Sequence, residues 1–216
     1  MPAVKKNKYH HGDLRQTLMD ISVDIIEKQG IHALNLRSLA SLAGVSSGAP
    51  YHHFADRAAL LGAVAQEGFE KLQAALVREG ASVVGNPSER LAALGSAYVL
   101  FAVSHRGHFR VMFRADIHND AHEALTNSSD RAFQLLREAI EACQQAGTAP
   151  PGDPQPLVLC AWATVHGLAT LCVDSHPAKL GMPPEQLAPM ITGLTSQMFS
   201  ALARTATSSK SPKPSS

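Results

Sequence analysis

Residues 35–54 read NLRSLASLAGVSSGAPYHHF, two short helical signals divided by a single glycine. Asn35 suits the position before a helix, because its side-chain oxygen can accept from a free backbone N–H two or three residues on. Leu36, Leu39, Ala40 and Ala43 recur at helical spacing, so one face of that helix is apolar and the other polar. Gly44 ends it, since glycine enters the left-handed conformation that other residues avoid. Val45 then folds back on the apolar face, and Ser46 caps a second helix over residues 46–54. Helix, turn with glycine, helix is the arrangement whose second member can enter a DNA major groove. Spacing alone also fits an ordinary packed pair in an all-helical protein.

The faces of the second helix separate by bulk. Val45, Tyr51 and Phe54 are expected to anchor inward, leaving Ser47, Gly48, Ala49 and His52 outward. These are small residues that let the start of the helix approach a groove closely, and its free N–H groups suit phosphate. Pro50 falls in the first turn, where a missing donor costs little, and it restrains Ala49 before it. Ala49 and Pro50 offer base edges only apolar contact, such as a thymine methyl. Ser47 and His52 are the candidates for reading bases by hydrogen bond. Arg37, from the preceding helix, can reach either a base or a phosphate.

The longer run over residues 30–61, GIHALNLRSLASLAGVSSGAPYHHFADRAALL, resembles the N-terminal domain of the TetR family of one-component transcriptional regulators. Gly30, Arg37, Leu39, Ala40, Ala43, Gly44, Val45, Ser46, Gly48, Tyr51, His53, Phe54 and Leu60 match the family's pattern. Ala49 stands where the family often has Thr, Pro50 where it often has Leu or Ile, and Arg57 where Lys is usual. An A-P-Y-x-H-F form is familiar in one branch. The resemblance implies that Tyr51 and His53 contact phosphates at the end of the recognition helix and that Arg57 touches the DNA backbone. It also implies a homodimer on a palindromic double-stranded operator, released by a small-molecule effector.

Composition bounds the rest. The chain has 216 residues, is 45% hydrophobic and carries a formal charge of +1. With a pI near 7.8, bulk charge gives no support to nucleic-acid binding, so that case rests on local residues. Three widely spaced cysteines, Cys143, Cys160 and Cys172, make no disulfide framework, and a reducing cytoplasm is the simpler setting. The N-terminus has lysines but no apolar signal core. Residues 157–173 are nearly all apolar but short of the ~20 that a membrane span wants, so a buried helix is expected and no membrane partner.

The basic stretch over residues 1–9 reads as a solvated end that can gain order along DNA phosphates. Residues 13–29 form a helix with Leu14, Leu18, Ile21 and Ile25 on one face, bracing the two short helices that follow. Arg15 near its start faces either a phosphate or solvent. Asp56 caps a long helix reaching about residue 80, so the break between domains falls inside a helix rather than in a linker. Further helices are expected over residues 88–104, with an interruption at 105–108, then over 120–146, 157–173 and from 185 onward. The fold is all-α. A helix-turn-helix domain with its basic arm spans residues 1–55, a helical ligand-binding and dimerisation domain 56–204, and a low-complexity, disordered tail 205–216.

In the larger domain, the segment 161–168 (AWATVHGL) also resembles the W-x-x-x-H-G segment of one TetR branch. The last two helices look like that family's dimerisation pair, with Ala161, Ala163, Gly167 and Ala169 permitting close approach. Trp162 and His166 are four apart and share a helix face. With Tyr98, Phe101, His105, Phe109, Met112 and Phe113 they can line an apolar pocket with a few polar handles. They can equally be core. His105 with His108, and His118 with His122, have spacings that suit a metal, but no cysteine accompanies them and neither metal nor cofactor is expected. No catalytic motif is present. The expectation is a ligand-responsive, DNA-binding regulator that is not an enzyme. Its runner-up is a helical ligand- or partner-binding protein that has lost its grip on DNA.

Overall fold

A computed structural model of the protein describes residues 14–118, 123–174 and 179–208, and all regular structure among them is helical. The helices are α1 (Leu14–Gln29), α2 (Leu36–Ala43), α3 (Arg57–Ser82), α4 (Pro87–Ser104), α5 (Arg106–Met112), α6 (Ala115–His118), α7 (Glu123–Gln145), α8 (Gln155–Asp174) and α9 (Pro184–Ser208). They form two compact units. One gathers Met1–Glu67 and Gly107–Leu125, the other Gly68–Arg106 and Thr126–Ser216. The chain passes from one unit to the other after Glu67, in α3. The basic arm, Asp13, Asp120, His122 and the tail beyond residue 208 lie outside the described residues, as does the side chain of His118.

In the first unit α1 buries Leu18, Met19, Ser22, Ile25 and Ile26. The expected stripe of Leu14, Leu18, Ile21 and Ile25 is therefore rotated, with Leu14 and Ile21 only half-buried. The reason is a second neighbour. α5 presses on α1 so closely that a Cβ on Gly107 would stand 2.6 Å from the Val23 carbonyl oxygen. Arg110 donates to the Glu27 carbonyl at 2.9 Å, satisfying a C-terminal acceptor of α1 that no helical donor reaches. Gly107 and Arg110 of α5 thus pack on α1 within the first unit. Gly107→Ala has a backbone atom to displace, not a flexible side chain. It is expected to lower stability by about 1–3 kcal/mol, readable as a drop in the thermal midpoint.

In the second unit α4 packs against both α8 and α9. Asn86 caps it, its Oδ1 accepting from the N–H groups of Ser88 and Glu89 at 3.1 and 3.2 Å. Pro87 fills the first position, where no donor is missed. A Cβ on Gly95 would lie 2.6 Å from Thr192 Cγ2, so this glycine lets α4 and α9 approach, and the Ser96 and Thr192 hydroxyls then bond at 3.0 Å. The helix ends at His105, where the sequence placed its interruption.

Two boundaries differ from expectation. α8 is 20 residues long, because Gln155 and Pro156 already take helical geometry after the Asp153 carboxylate accepts from the Gln155 N–H at 3.0 Å. By length and composition it could cross a membrane, yet it is one helix of a bundle, and 28% of its most apolar window is buried within the chain. α9 runs on to Ser208, four residues into the stretch read as tail, with Ala203 buried near its end.

Candidate nucleic-acid interface and effector cluster

The first half of the reading head forms as its residues dictate. Asn35 Oδ1 accepts from the Arg37 N–H at 2.8 Å, leaving Arg37 exposed on the first turn of α2. Gly44 takes φ 70°, which lets Val45 N–H return to the Ala40 carbonyl at 3.0 Å and Gly44 N–H to Ser41 at 3.2 Å, the paired bonds of a Schellman stop.

The second half differs from the expected helix over residues 46–54. It is a turn followed by a 3-10 helix, Ala49–His52, held by bonds from Ala49 N–H to Ser46, Tyr51 N–H to Gly48 and His53 N–H to Pro50 at 3.0–3.1 Å. Pro50 is the physical cause. In an α-helix its N–H would donate to the Ser46 carbonyl, and proline has none, so Ala49 takes that acceptor with the tighter ring. The Ser46 side chain caps nothing, and the tighter winding changes the facing. Pro50 is buried with Phe54, while Tyr51 is 49% exposed. The bulky ring thus points out and the proline in, the reverse of the expectation from size.

Arg37, Ser46, Ser47, Gly48, Tyr51, His52, His53 and Arg57 are exposed, and Ala49 half so. Arg57 also donates from Nη2 to the Ile31 carbonyl at 2.6 Å, tying the start of α3 to the segment that follows α1. Arg15, left open between phosphate and solvent, lies 5.4 Å from the centre of the Phe54 ring.

Of the eight residues expected around an effector, five lie in the second unit. The Tyr98 hydroxyl is 2.8 Å from His166 Nδ1, and the rings of Trp162 and His166 are 5.4 Å apart. Burial pushes the Tyr98 phenol far above its usual range, with Trp162 acting weakly the other way. Burial also holds the His166 imidazole below its ordinary value. Burial thus favours the neutral form of both groups, and the His166 tautomer sets which of them donates across the 2.8 Å contact. Phe101 stacks on His105 at 4.6 Å. Phe109, Met112 and Phe113 belong to the first unit, where Phe109 and Phe113 meet edge to face at 5.7 Å.

Phe133 of α7 meets Trp162 at 5.0 Å. His108, weighed in the sequence as half of a metal pair, is buried in the first unit with Nε2 2.8 Å from Glu67 Oε2. Among the described residues no three potential ligands gather for a metal. Burial raises the thiols of Cys143 and Cys172, which keeps them protonated and unreactive.

The His166 shift has a checkable sign. The folded state binds the imidazole proton less readily than the unfolded chain, whose value is 6.5. Stability from this site is fully present above that value and is lost as pH falls through the lower, folded one. Thermal midpoints measured from pH 7.5 down to 5 are expected to fall more steeply for the parent than for His166→Gln.

A capped, Gly-terminated helix followed by an exposed turn in one unit, and a polar pair among aromatic rings in the other, fit the class of helix-turn-helix regulators. Family comparison agrees. Residues 18–64 match the description "Bacterial regulatory proteins, tetR family", and residues 91–197 match "Tetracyclin repressor-like, C-terminal domain". A protein of unknown function from Rhodococcus sp. RHA1 is 35% identical, over 90% of this chain and 100% of its own, with a TM-score of 0.77. A tetR-family bacterial regulatory protein from Rhodococcus RHA1 is 21% identical, over 86% and 96%, at TM-score 0.71. AibR, solved with isovaleryl coenzyme A and operator DNA, is 17% identical, over 85% and 98%, at TM-score 0.68. Comparison with the curated proteins gives no match. The chain belongs to the TetR family. It is a DNA-binding transcriptional regulator with a ligand-binding C-terminal domain, and not an enzyme.

Proposed function

We propose that the protein is a cytoplasmic repressor that binds a palindromic operator as a homodimer and leaves it when a small, largely apolar molecule occupies the C-terminal domain. One observation carries the homodimer, from which the operator symmetry follows. α8 is apolar almost all round, yet Leu159 and Leu171 are 55% and 53% exposed, with Ala163 and Gly167 open between them. On α9, Met190, Leu194, Met198 and Leu202 are likewise exposed. Both rows advance in steps of four, the ridge by which helices pack into one another's grooves. A second copy offering the same rows would bury them as a four-helix bundle.

Symmetry then gives the DNA half of the mechanism. Two heads related by a twofold axis read two half-sites about 34–36 Å apart. An effector that prefers the shape of the C-terminal domain belonging to another spacing lowers operator affinity by its differential affinity for the two shapes. AibR, of the same fold, was solved with an acyl thioester and operator DNA together, which supports pairing a small molecule with DNA on this architecture.

Selection of bound sequences from random DNA with the purified protein is the test. An inverted repeat is expected, and recovery of no preferred sequence would favour the ligand- or partner-binding alternative. Within that assay Tyr51→Ala removes an exposed ring from the head without touching its core. A hydrogen bond to phosphate is worth about 1.5 kcal/mol, and two half-sites double it, so roughly 100-fold weaker binding is expected at unchanged thermal stability.

A further inference from the structure

α7 and α8 run antiparallel, and the cavity between them has a volume of ≈ 400 Å³, within the range of small-molecule sites. Phe133, Gln134 and Arg137 line it from α7, and Val158, Leu159 and Trp162 from α8. Asp130 and Gln155 complete each helix's contribution at the same i, i+3, i+4, i+7 spacing, so each helix gives one whole face. The two ends differ in chemistry. At one, Arg137 meets the side-chain oxygen of Gln155, and no carboxylate of the described residues pairs with that guanidinium. At the other, Trp162 and Phe133 meet edge to face, with Asp130 at the rim. Asp130 stands seven residues before Arg137, ~10 Å along the helix.

We propose that this cavity is where the effector binds and that it takes an amphiphilic carboxylate, the acid on Arg137 and the apolar body against Phe133 and Trp162. The inference rests on the effector-responsive reading above and names its ligand class. A guanidinium presents a planar fork matched to a carboxylate, and two charge-assisted bonds outweigh one to a neutral amide. An incoming acid therefore displaces the Gln155 oxygen, after which the Gln155 amide can turn its N–H groups to the same ligand. The Asp130 carboxylate repels an anion, so the ligand enters in one orientation, head toward Arg137. Leu159 lines the cavity and also belongs to the row on α8 assigned to the twin. A ligand here touches that row directly, and through Trp162 it touches the Tyr98–His166 pair.

Trp162 is the chain's single tryptophan, so its emission reports on the cavity. Full-length protein titrated with sodium decanoate is expected to show a saturable change, and decan-1-ol, lacking the charge, to bind roughly tenfold more weakly or worse. Arg137→Gln should erase the difference between acid and alcohol, and Arg137→Lys should keep part of it. Equal affinity for acid and alcohol in the parent, an unsaturable response, or an unaltered preference in Arg137→Gln overturns the ligand class. Anisotropy of the labelled, selected operator is followed in parallel. Release by decanoate supports the effector role, whereas saturable binding without release overturns that role. A parent that binds no operator before decanoate is added fails the regulator reading, separately from the cavity.

Discussion

On the proposed dimer, Leu194→Glu is expected to yield a monomer that no longer holds operator DNA at concentrations where the parent does. Leu194 is 55% exposed in the middle of the α9 row, between Met190 and Met198. In a single chain a glutamate there faces water and costs almost nothing, so the monomer should fold with an unchanged circular dichroism spectrum. In a symmetric pair the same carboxylate is buried at the centre of the bundle, once from each protomer. Taking about 3 kcal/mol for each such central site, the two copies weaken association on the order of ten-thousand-fold. Sedimentation velocity reads the change directly, and operator affinity follows because one head reads only half a palindrome. A glutamate variant that still sediments as a dimer would remove the bundle from the account.

Gly167 adds an independent reading of the same face. A Cβ there meets nothing within 4 Å in the single chain, and glycine inside a helix is about 1 kcal/mol worse than alanine. An isolated α8 would gain from any larger residue. Gly167→Leu should therefore raise helical stability in dilute solution while weakening self-association, since it fills the trough between Leu159 and Leu171.

The local half of this structure was legible in the sequence because its causes are local. Asn35, Gly44, Asp56 and Asn86 act on bonds within a few residues of themselves, and each sits where its side chain or missing Cβ requires. In the recognition segment side-chain bulk is a poor guide within that same range, because hydrogen bonding decides the winding. Losing the Pro50 donor favours the tighter 3-10 winding, and in that segment Pro50 is buried while Tyr51 is exposed. What stayed hidden is non-local. Arg137 and Gln155 are 18 residues apart across a loop, Gly107 and Val23 are 84 apart, and no spacing rule pairs them. The packing of α5 on α1 follows from such contacts alone.

His108 is the strongest case of this hidden kind. It is 5% exposed, with Nε2 2.8 Å from Glu67 Oε2, while Gln16 donates to Glu67 Oε1 at 2.9 Å. Three elements, α1, α3 and α5, thus meet on one carboxylate in the first unit. The Glu67 carboxylate is partly buried, 18% exposed, and such a group is costly unless its oxygens are occupied, so His108→Ala strips one oxygen of its imidazole and opens a cavity around it. The expected cost is on the order of 3 kcal/mol, larger than for Gly107→Ala, and it should appear in urea titration as a lower midpoint at unchanged slope. His108→Gln supplies an N–H from a shorter reach and should recover part of the loss. The double variant His108→Leu with Glu67→Leu removes both partners, and it should be more stable than His108→Leu alone, since the single variant leaves the charge behind without its imidazole. If the two single substitutions instead simply add, the 2.8 Å contact contributes nothing to holding α5 on the head.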